Sequence, residues 1–345
     1  MSGFVKGVCE DLCPQNEAKL RIREKLLHYF EYKNGQKHVP GKLVKCFSRS
    51  AADKKIPRPQ DMRTEGCLQR CVEYLLREIV LDNRKPYNIV YDFIFDRLRS
   101  VRQEIVMQDY NAKQTIKLLE PMIMFLCYSR YKLTEEAIDN FDPKICEQHL
   151  QECLKRALVC YDEIPTKELN LLEIRRRTFI ESLYQIFNLG SLEAMKRCLT
   201  VDEDIKSEPL FELVFKICLS HIQGNLYRVL NGIQGLPHIL CAIGSLKLPT
   251  LRRQLYHVFA HAYSSKQLLV PVDFVLRLSG HASKYELFED CKYYNINLSE
   301  DKQSLHFQKT DFKNDLAIQK CKHEQFVDIK IKNIYLPEIL LLKKF

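Results

Sequence analysis

Glycine is scarce and never arranged for phosphate binding. The eleven glycines among 345 residues form neither a GxGxxG turn nor a Walker-type loop. No HExxH occurs, the ten histidines are dispersed, and no nucleophile elbow is present. These absences exclude dinucleotide, P-loop, zincin and hydrolase chemistry of the familiar kinds, and leave an active site only where groups converge from distant segments. No run of about 18 uncharged apolar residues appears that could span a bilayer. The N-terminus, with Lys6, Glu10 and Asp11, has no apolar signal-peptide centre. The sequence therefore reads as a chain of the cytosol or nucleus, with no membrane partner.

What is present is an ordinary globular composition. An apolar content of 46% beside 28% charged residues allows a sizeable core in one large or two ordinary domains. Fourteen cysteines, without a secretory signal, read as reduced thiols used as small hydrophobes. Cys9-x3-Cys13 and Cys67-x3-Cys71 fall within the loose spacing of structural zinc. Against zinc, Cys67 and Cys71 sit beside Leu68, Val72 and Leu75 at ordinary helical core spacing. A redox pair at Cys9 and Cys13 is weaker, because the spacing is not CxxC and no base stands between them.

The formal charge of +9 is concentrated. Between Lys19 and Arg63 stand thirteen Lys/Arg and four Asp/Glu, a net +9, so the rest of the chain balances. This basic arm suits nucleic acid, an acidic protein or a phosphorylated surface.

Residues 1–63 read as an extended basic arm with one helix, about Glu17 to Tyr32, punctuated by Gly35, Pro40, Gly41, Pro57 and Pro59. A helical array over 64–265 follows. Leu68, Val72, Leu75, Leu76 and Ile79 make one apolar stripe, and Val90, Ile94, Leu98, Val101 and Ile105 make the next, after Pro86. Further helices are expected at about 112–131, 143–162, 168–189, 191–199, 207–221, 225–232, 236–245 and 248–264. Cys146, Leu150, Cys153, Ala157 and Cys160 share one face, which is core packing. Gly190-Ser191 and Gly224-Asn225 are short turns between stacked hairpins, with no strict repeat period.

Residues 266–320 change texture. Val272–Leu278 and Lys284–Tyr294 are short helices, and Leu298–Phe312, broken at 299–302, alternates like a hairpin; helix, turn, helix, hairpin is the order of a winged-helix module. Residues 321–345 form a C-terminal strand and tail, with Val327–Ile331 expected to complete the small sheet. The apolar end, Tyr335–Leu342, reads as a chain end packed on its own domain rather than a docking strip. Lys284, Lys292, Lys302, Lys309 and Lys313, interleaved with Tyr285, Tyr293 and Tyr294, are the candidate nucleic-acid contacts, while Glu286, Glu289 and Asp290 dilute their field.

One set of residues resembles a known signature. Gly7-Val8-Cys9-Glu10-Asp11-Leu12-Cys13-Pro14 with Glu17 and Arg21 comes first, then Phe47-Ser48-Arg49-Ser50-Ala51, then Pro57 and Arg63. Tyr91-Asp92-Phe93 with Asp96-Arg97, Arg99 and Arg102 follows. In this order they resemble the Sac-three/GANP domain, as do Asn188-Leu189-Gly190-Ser191 with Glu193-Ala194, Gly224-Asn225 and Arg252-Arg253. Leu12 stands where the family usually has methionine, and Cys46-Phe47 replaces an acidic-aromatic pair.

The resemblance implies a non-catalytic, all-α scaffold: a PCI-like irregular stack of helical hairpins ending in a winged helix, with no cofactor and no metal. Family members pair with a PCI-domain subunit and a small acidic DSS-type peptide in a nuclear mRNA-export complex. The size, with only six residues before the signature, and the NLGSxEA stretch resemble the short animal form, whose family role is in centrosome duplication and mitotic progression. That form implies centrosomal and spindle partners and a cytoplasmic location at centrosome and spindle, with the nucleus as alternative. Under the resemblance Cys9, Cys13 and Pro14 pin the arm, Phe47 anchors it, Arg49 meets a carboxylate, and Arg97, Arg99 and Arg102 pair with Asp92 and Asp96.

Overall fold

Helix starts are set by side chains that satisfy the first free backbone N–H groups. Among them, Thr64 caps its helix by accepting from the Cys67 N–H, and Asn170 and Glu173 form a reciprocal capping box. Asp142, Ser191, Asn225 and Ser283 cap in the same way. The computed structural model describes residues 4–33, 39–49 and 57–343. Helix makes up 63% of the structure and one three-stranded sheet is present, which places the chain in the all-α class.

The chain divides into two compact units, and the division cuts across the four sequence segments. The first unit comprises Met1–Ser129, Ala137–Leu169 and Tyr335–Phe345; the second comprises Arg130–Glu136 and Asn170–Ile334. The first contains α1 (Gln15–Arg23), α2 (Glu65–Arg77), α3 (Tyr87–Met107), most of α4 (Ala112–Lys132) and α5 (Pro143–Asp162). α5 has the bounds expected of it, and Cys146, Leu150, Cys153, Ala157 and Cys160 are all fully buried on one face.

The second unit holds α6 (Leu171–Phe187), α7 (Leu192–Thr200), α8 (Glu203–Lys206), α9 (Pro209–Ile222), α10 (Leu226–Gly235), α11 (His238–Ser245) and α12 (Leu248–Ala262). α9 packs on α6 and α10, and α11 packs on α6 and α10 in turn. Gly190, at φ +92° in the turn before α7, takes a conformation costly for other residues, and a Cβ there would lie 2.8 Å from the His221 ring. Then come β1 (Val270–Pro271), α13 (Val272–Ser279), α14 (Lys284–Tyr294), β2 (Asn297–Leu298), β3 (Ser304–His306) and α15 (Gln325–Lys332); α16 (Leu336–Leu340) returns to the first unit.

Two expectations need correction. The first helix ends at Arg23 rather than near Tyr32, because Lys25 adopts a left-handed φ of +56° and residues 29–31 form a separate 3-10 turn. Residues 327–331 are helical, within α15, and do not complete the sheet. As a strand, Val327, Ile329 and Ile331 would share a face; instead Val327 is buried on the side that meets α11 while Ile329 is 55% exposed. The third strand is β1, whose Val270 pairs with Leu305 in an antiparallel sheet of order β1-β3-β2. The apolar C-terminal stretch is covered: α16 packs on α2, with Ile339, Leu340 and Leu342 buried.

Candidate functional site

The signature residues of the arm are engaged within the first unit. Gly7 donates to the Gln108 side chain at 2.8 Å, and a Cβ on it would lie 2.6 Å from the carbonyl oxygens of Met62 and Arg63, so only glycine passes here. Cys9 forms a parallel bridge with Arg63, donating its N–H to the Met62 carbonyl and accepting from the Thr64 N–H. The Asp11 carbonyl accepts from the Cys67 thiol at 3.2 Å. Cys13 is buried, and burial pushes its thiol up to about 12. Pro14 directly precedes α1. Among the described residues no group of three or more His, Cys, Asp or Glu is placed to hold a metal ion.

Two buried ion clusters hold the arm. In the first, the Glu31 carboxylate lies between Arg21 and Arg97, with Arg97 at 3.3 Å, and accepts from the Val44 N–H at 3.1 Å. Burial alone would raise Glu31, but the Arg97 and Arg21 charges outweigh it and hold the carboxyl below its ordinary range. Arg21 also donates to the Val44 carbonyl, and Glu17 accepts from the Cys46 N–H at 2.8 Å. In the second, Arg63 is 0% exposed and meets Glu104 at 3.1 Å, Ser100 at 2.9 Å and the Cys71 sulfur at 3.3 Å. Lys45 reaches the same Glu104 oxygen at 2.8 Å.

The expected pairing of arginines with Asp92 and Asp96 is half correct. Asp96 pairs with Arg97 at 2.6 Å and accepts from the Phe47 N–H at 3.2 Å. Asp92 is exposed and has no ion-pair partner among the described residues, because the helical positions three and four beyond it are Phe95 and Asp96. Arg102 turns instead to Glu152 at 3.0 Å and to the His149 ring at 2.9 Å, both on α5. Arg99 stacks on Phe47, 3.9 Å from the ring centre, in a cation–π contact. The Ser48 carbonyl accepts from Gln103, Arg49 adds its charge beside Arg99, and Ser50 lies outside the described residues. Glu104 and Glu31, which no motif named, are the centres of both clusters. The one sign of Glu104 is a carboxylate within the apolar register of α3, three residues after Val101.

In the second unit, Lys284 pairs with Asp273 at 2.8 Å, whereas Lys292, Lys302, Lys309 and Lys313 are exposed. Of the acids expected to dilute them, Asp290 is buried against Tyr256 and His281, Glu286 is half-buried and accepts from the Ala282 N–H, and Glu289 is exposed. Tyr294 is core, stacked on Phe312, while Tyr285 is exposed and Tyr293 donates to the Ala317 carbonyl.

Beneath this surface Arg252 makes a bidentate pair with Glu324, at 2.7 and 3.0 Å, and donates to the carbonyls of Ser279 and Gly280. The Tyr256 hydroxyl lies 2.8 Å from His281 Nε2 and donates to Asp290 at 3.0 Å. Glu286 faces the other ring nitrogen at 3.6 Å, and Arg252 and Glu324 add their charges. Burial pushes His281 down despite its carboxylate neighbours. The folded ring is therefore neutral where the unfolded one, below about pH 6.5, takes up a proton. This contribution is complete above that pH and declines below it; the depressed Asp290 loses its own only below about pH 4. Thermal melts from pH 7.5 to 5 will show a falling midpoint for the second unit, and His281→Gln will flatten that slope. An unchanged slope would refute the assignment.

The SAC3/GANP family model matches residues 12–300, most of the chain. The chain belongs to the SAC3/GANP family. This is a family of helical scaffolds, and membership suggests protein partners. Protein xmas of Drosophila melanogaster is 25% identical over 314 residues, 87% of this chain and 15% of its own length. SAC3 family protein B of Arabidopsis thaliana is 34% identical over 138 residues, 38% of this chain and 8% of its own. SAC3 family protein 1 of Schizosaccharomyces pombe is 22% identical over 355 aligned positions, 97% of this chain and 34% of its own. The chain thus spans about a third or less of the length of the curated relatives it matches. No helix among the described residues is long and apolar enough to cross a membrane.

Proposed function

We propose that this SAC3/GANP-family chain is a non-catalytic scaffold acting in centrosome duplication and mitotic progression, located in the cytoplasm at centrosome and spindle. The observation that supports a scaffold is the use of the signature itself. Arg21, Glu17, Arg97, Asp96, Phe47 and Arg102 hold the arm and α3 within the first unit, and none of them is gathered into a reactive cluster. The cellular setting rests on the resemblance to the short animal form. Mass spectrometry of what co-purifies with the tagged chain at endogenous level, from interphase and mitotic cells separately, tests it. Centrosomal and spindle proteins enriched in mitosis are the expected result.

A second reading is favoured by the terminal module: an adaptor in nuclear mRNA export. The order α12, β1, α13, α14, β2, β3 suits a winged helix, with exposed Lys292, Lys302, Lys309 and Lys313 for nucleic acid. Recovery of a PCI-domain subunit with a small acidic DSS-type peptide, mainly in interphase, would replace the first reading with this one. Binding to single-stranded RNA at two salt concentrations adds a direct check, since a basic platform binds and weakens steeply with salt.

A further inference from the structure

A groove in the second unit combines a concave shape with an unbalanced charge. It lies beside α12 and the segment after β3, has a volume of about 470 Å³, and among the described residues no carboxylate lines it. That size falls within the range of small-ligand clefts, about 300–1,000 Å³. Arg253 forms one wall and is fixed there by donating to the carbonyls of Asn314 at 2.6 Å and Leu316 at 3.3 Å. Those partners are neutral, so its charge is not cancelled.

His257 lies one helical turn further along α12. Its ring packs 4.2 Å from that of His261 and against the Phe312 edge, and the His261 Nδ1–H donates to the His257 carbonyl at 2.8 Å. Lys309, after β3, adds a further cation acting on His257. Among the described residues none of Arg253, His257, His261 and Lys309 has an ion-pair partner. Burial first, and then His261, Arg253 and Lys309, hold the His257 ring below its ordinary range, which is the mark of a positive field without a counter-charge. Thr250, Gln254 and Asn314 supply neutral hydrogen-bonding groups. Val258 and Ile318 line the same groove, 52% and 45% exposed, an apolar pair open to solvent beside cations.

We propose that this groove binds a nucleotide, its phosphate against Arg253 and His257 and its base against Val258 and Ile318. The ligand chemistry is a nucleoside monophosphate, either free or as one link of a single-stranded RNA. A phosphate supplies the missing negative charge, and a flat base covers apolar side chains without needing a specific acceptor pattern. The site is separate from the Lys292 and Lys302 positions and does not depend on either cellular role.

The test uses the full chain with 5′-UMP and a short fluorescent oligouridylate as probes. Val258→Asp places a carboxylate at an exposed position that holds no structure together, and Val258→Lys is its control. The proposal expects Val258→Asp to weaken binding of the bound probe by about tenfold or more, with Val258→Lys equal to wild type or tighter and both melting as wild type. The His257 ring resonance will titrate at higher pH when 5′-UMP is added, because the bound anion favours the protonated ring. Binding of 5′-UMP without the oligomer assigns the groove to free nucleotides; binding of the oligomer with 5′-UMP as competitor assigns it to RNA. Oligomer binding that survives Val258→Asp but is lost on a joint Lys292→Glu and Lys302→Glu change overturns the groove and leaves the nucleic-acid reading standing. No binding of either probe overturns both.

Discussion

Glu104→Ala will destabilise the first unit by about 3–5 kcal/mol, the usual cost of leaving a buried charge without its partner. Arg63 has no exposed surface and its guanidinium meets Glu104, Ser100 and the Cys71 sulfur, so it has no route to water when the carboxylate is removed. Lys45 loses the same partner, and the Arg63 N–H loses the acceptor it holds at 2.7 Å. Urea unfolding followed by limited proteolysis will show cleavage first in the arm, because Glu104 is the point where the arm, α2 and α3 are joined. Replacing both charges together, Arg63→Met with Glu104→Met, should cost much less, since apolar groups of similar volume remove the need for pairing. A loss below about 1 kcal/mol for Glu104→Ala would mean that Arg63 is hydrated in solution.

Arg252→Ala will act on the second unit with a similar size, about 3–5 kcal/mol, for the same reason. It removes the bidentate partner of Glu324, a carboxylate that is nearly fully buried, and frees the carbonyls of Ser279 and Gly280. Glu324 also anchors the start of α15 through Tyr131, whose hydroxyl accepts from the Glu324 N–H at 2.9 Å and donates to Asp328 at 2.9 Å. Hydrogen exchange will therefore rise in α15 and in the α13–α14 turn together. If exchange rises only near Arg252, the clamp does not couple these elements.

The helical faces were legible because burial imposes a period. The stripes of α2 and α3 and the cysteine face of α5 are one-sided apolar patterns, and each becomes the buried side of its helix. The terminal order of helix, helix and hairpin was also readable, but its third strand was not. β1 is two residues long and contains a proline, too short for any alternation to register, while 327–331 alternates well and is helical because its neighbours are α11 and the Glu324 clamp. The signature motif named residues of the arm but not the carboxylates that hold them. Glu31 stands ten residues from Arg21 and far from Arg97 in sequence, so its place between them depends on the path of the arm, which no local pattern encodes. The Arg253–His257 groove was invisible for a similar reason: its second wall comes from Asn314 and Ile318, in a segment with no regular structure.

The packing of α16 on α2 has a consequence for the order in which the protein can be completed during synthesis. α2 is made long before α16, and the side it offers α16 stays uncovered until Leu336–Leu340 have been made. At about 5–20 residues per second, that interval is on the order of tens of seconds. Through this interval the nascent first unit exposes apolar surface, and a ribosome that stops after Ile334 releases a chain in which that surface is never covered. Completion of the first unit thus waits on residues made more than 250 positions after α2.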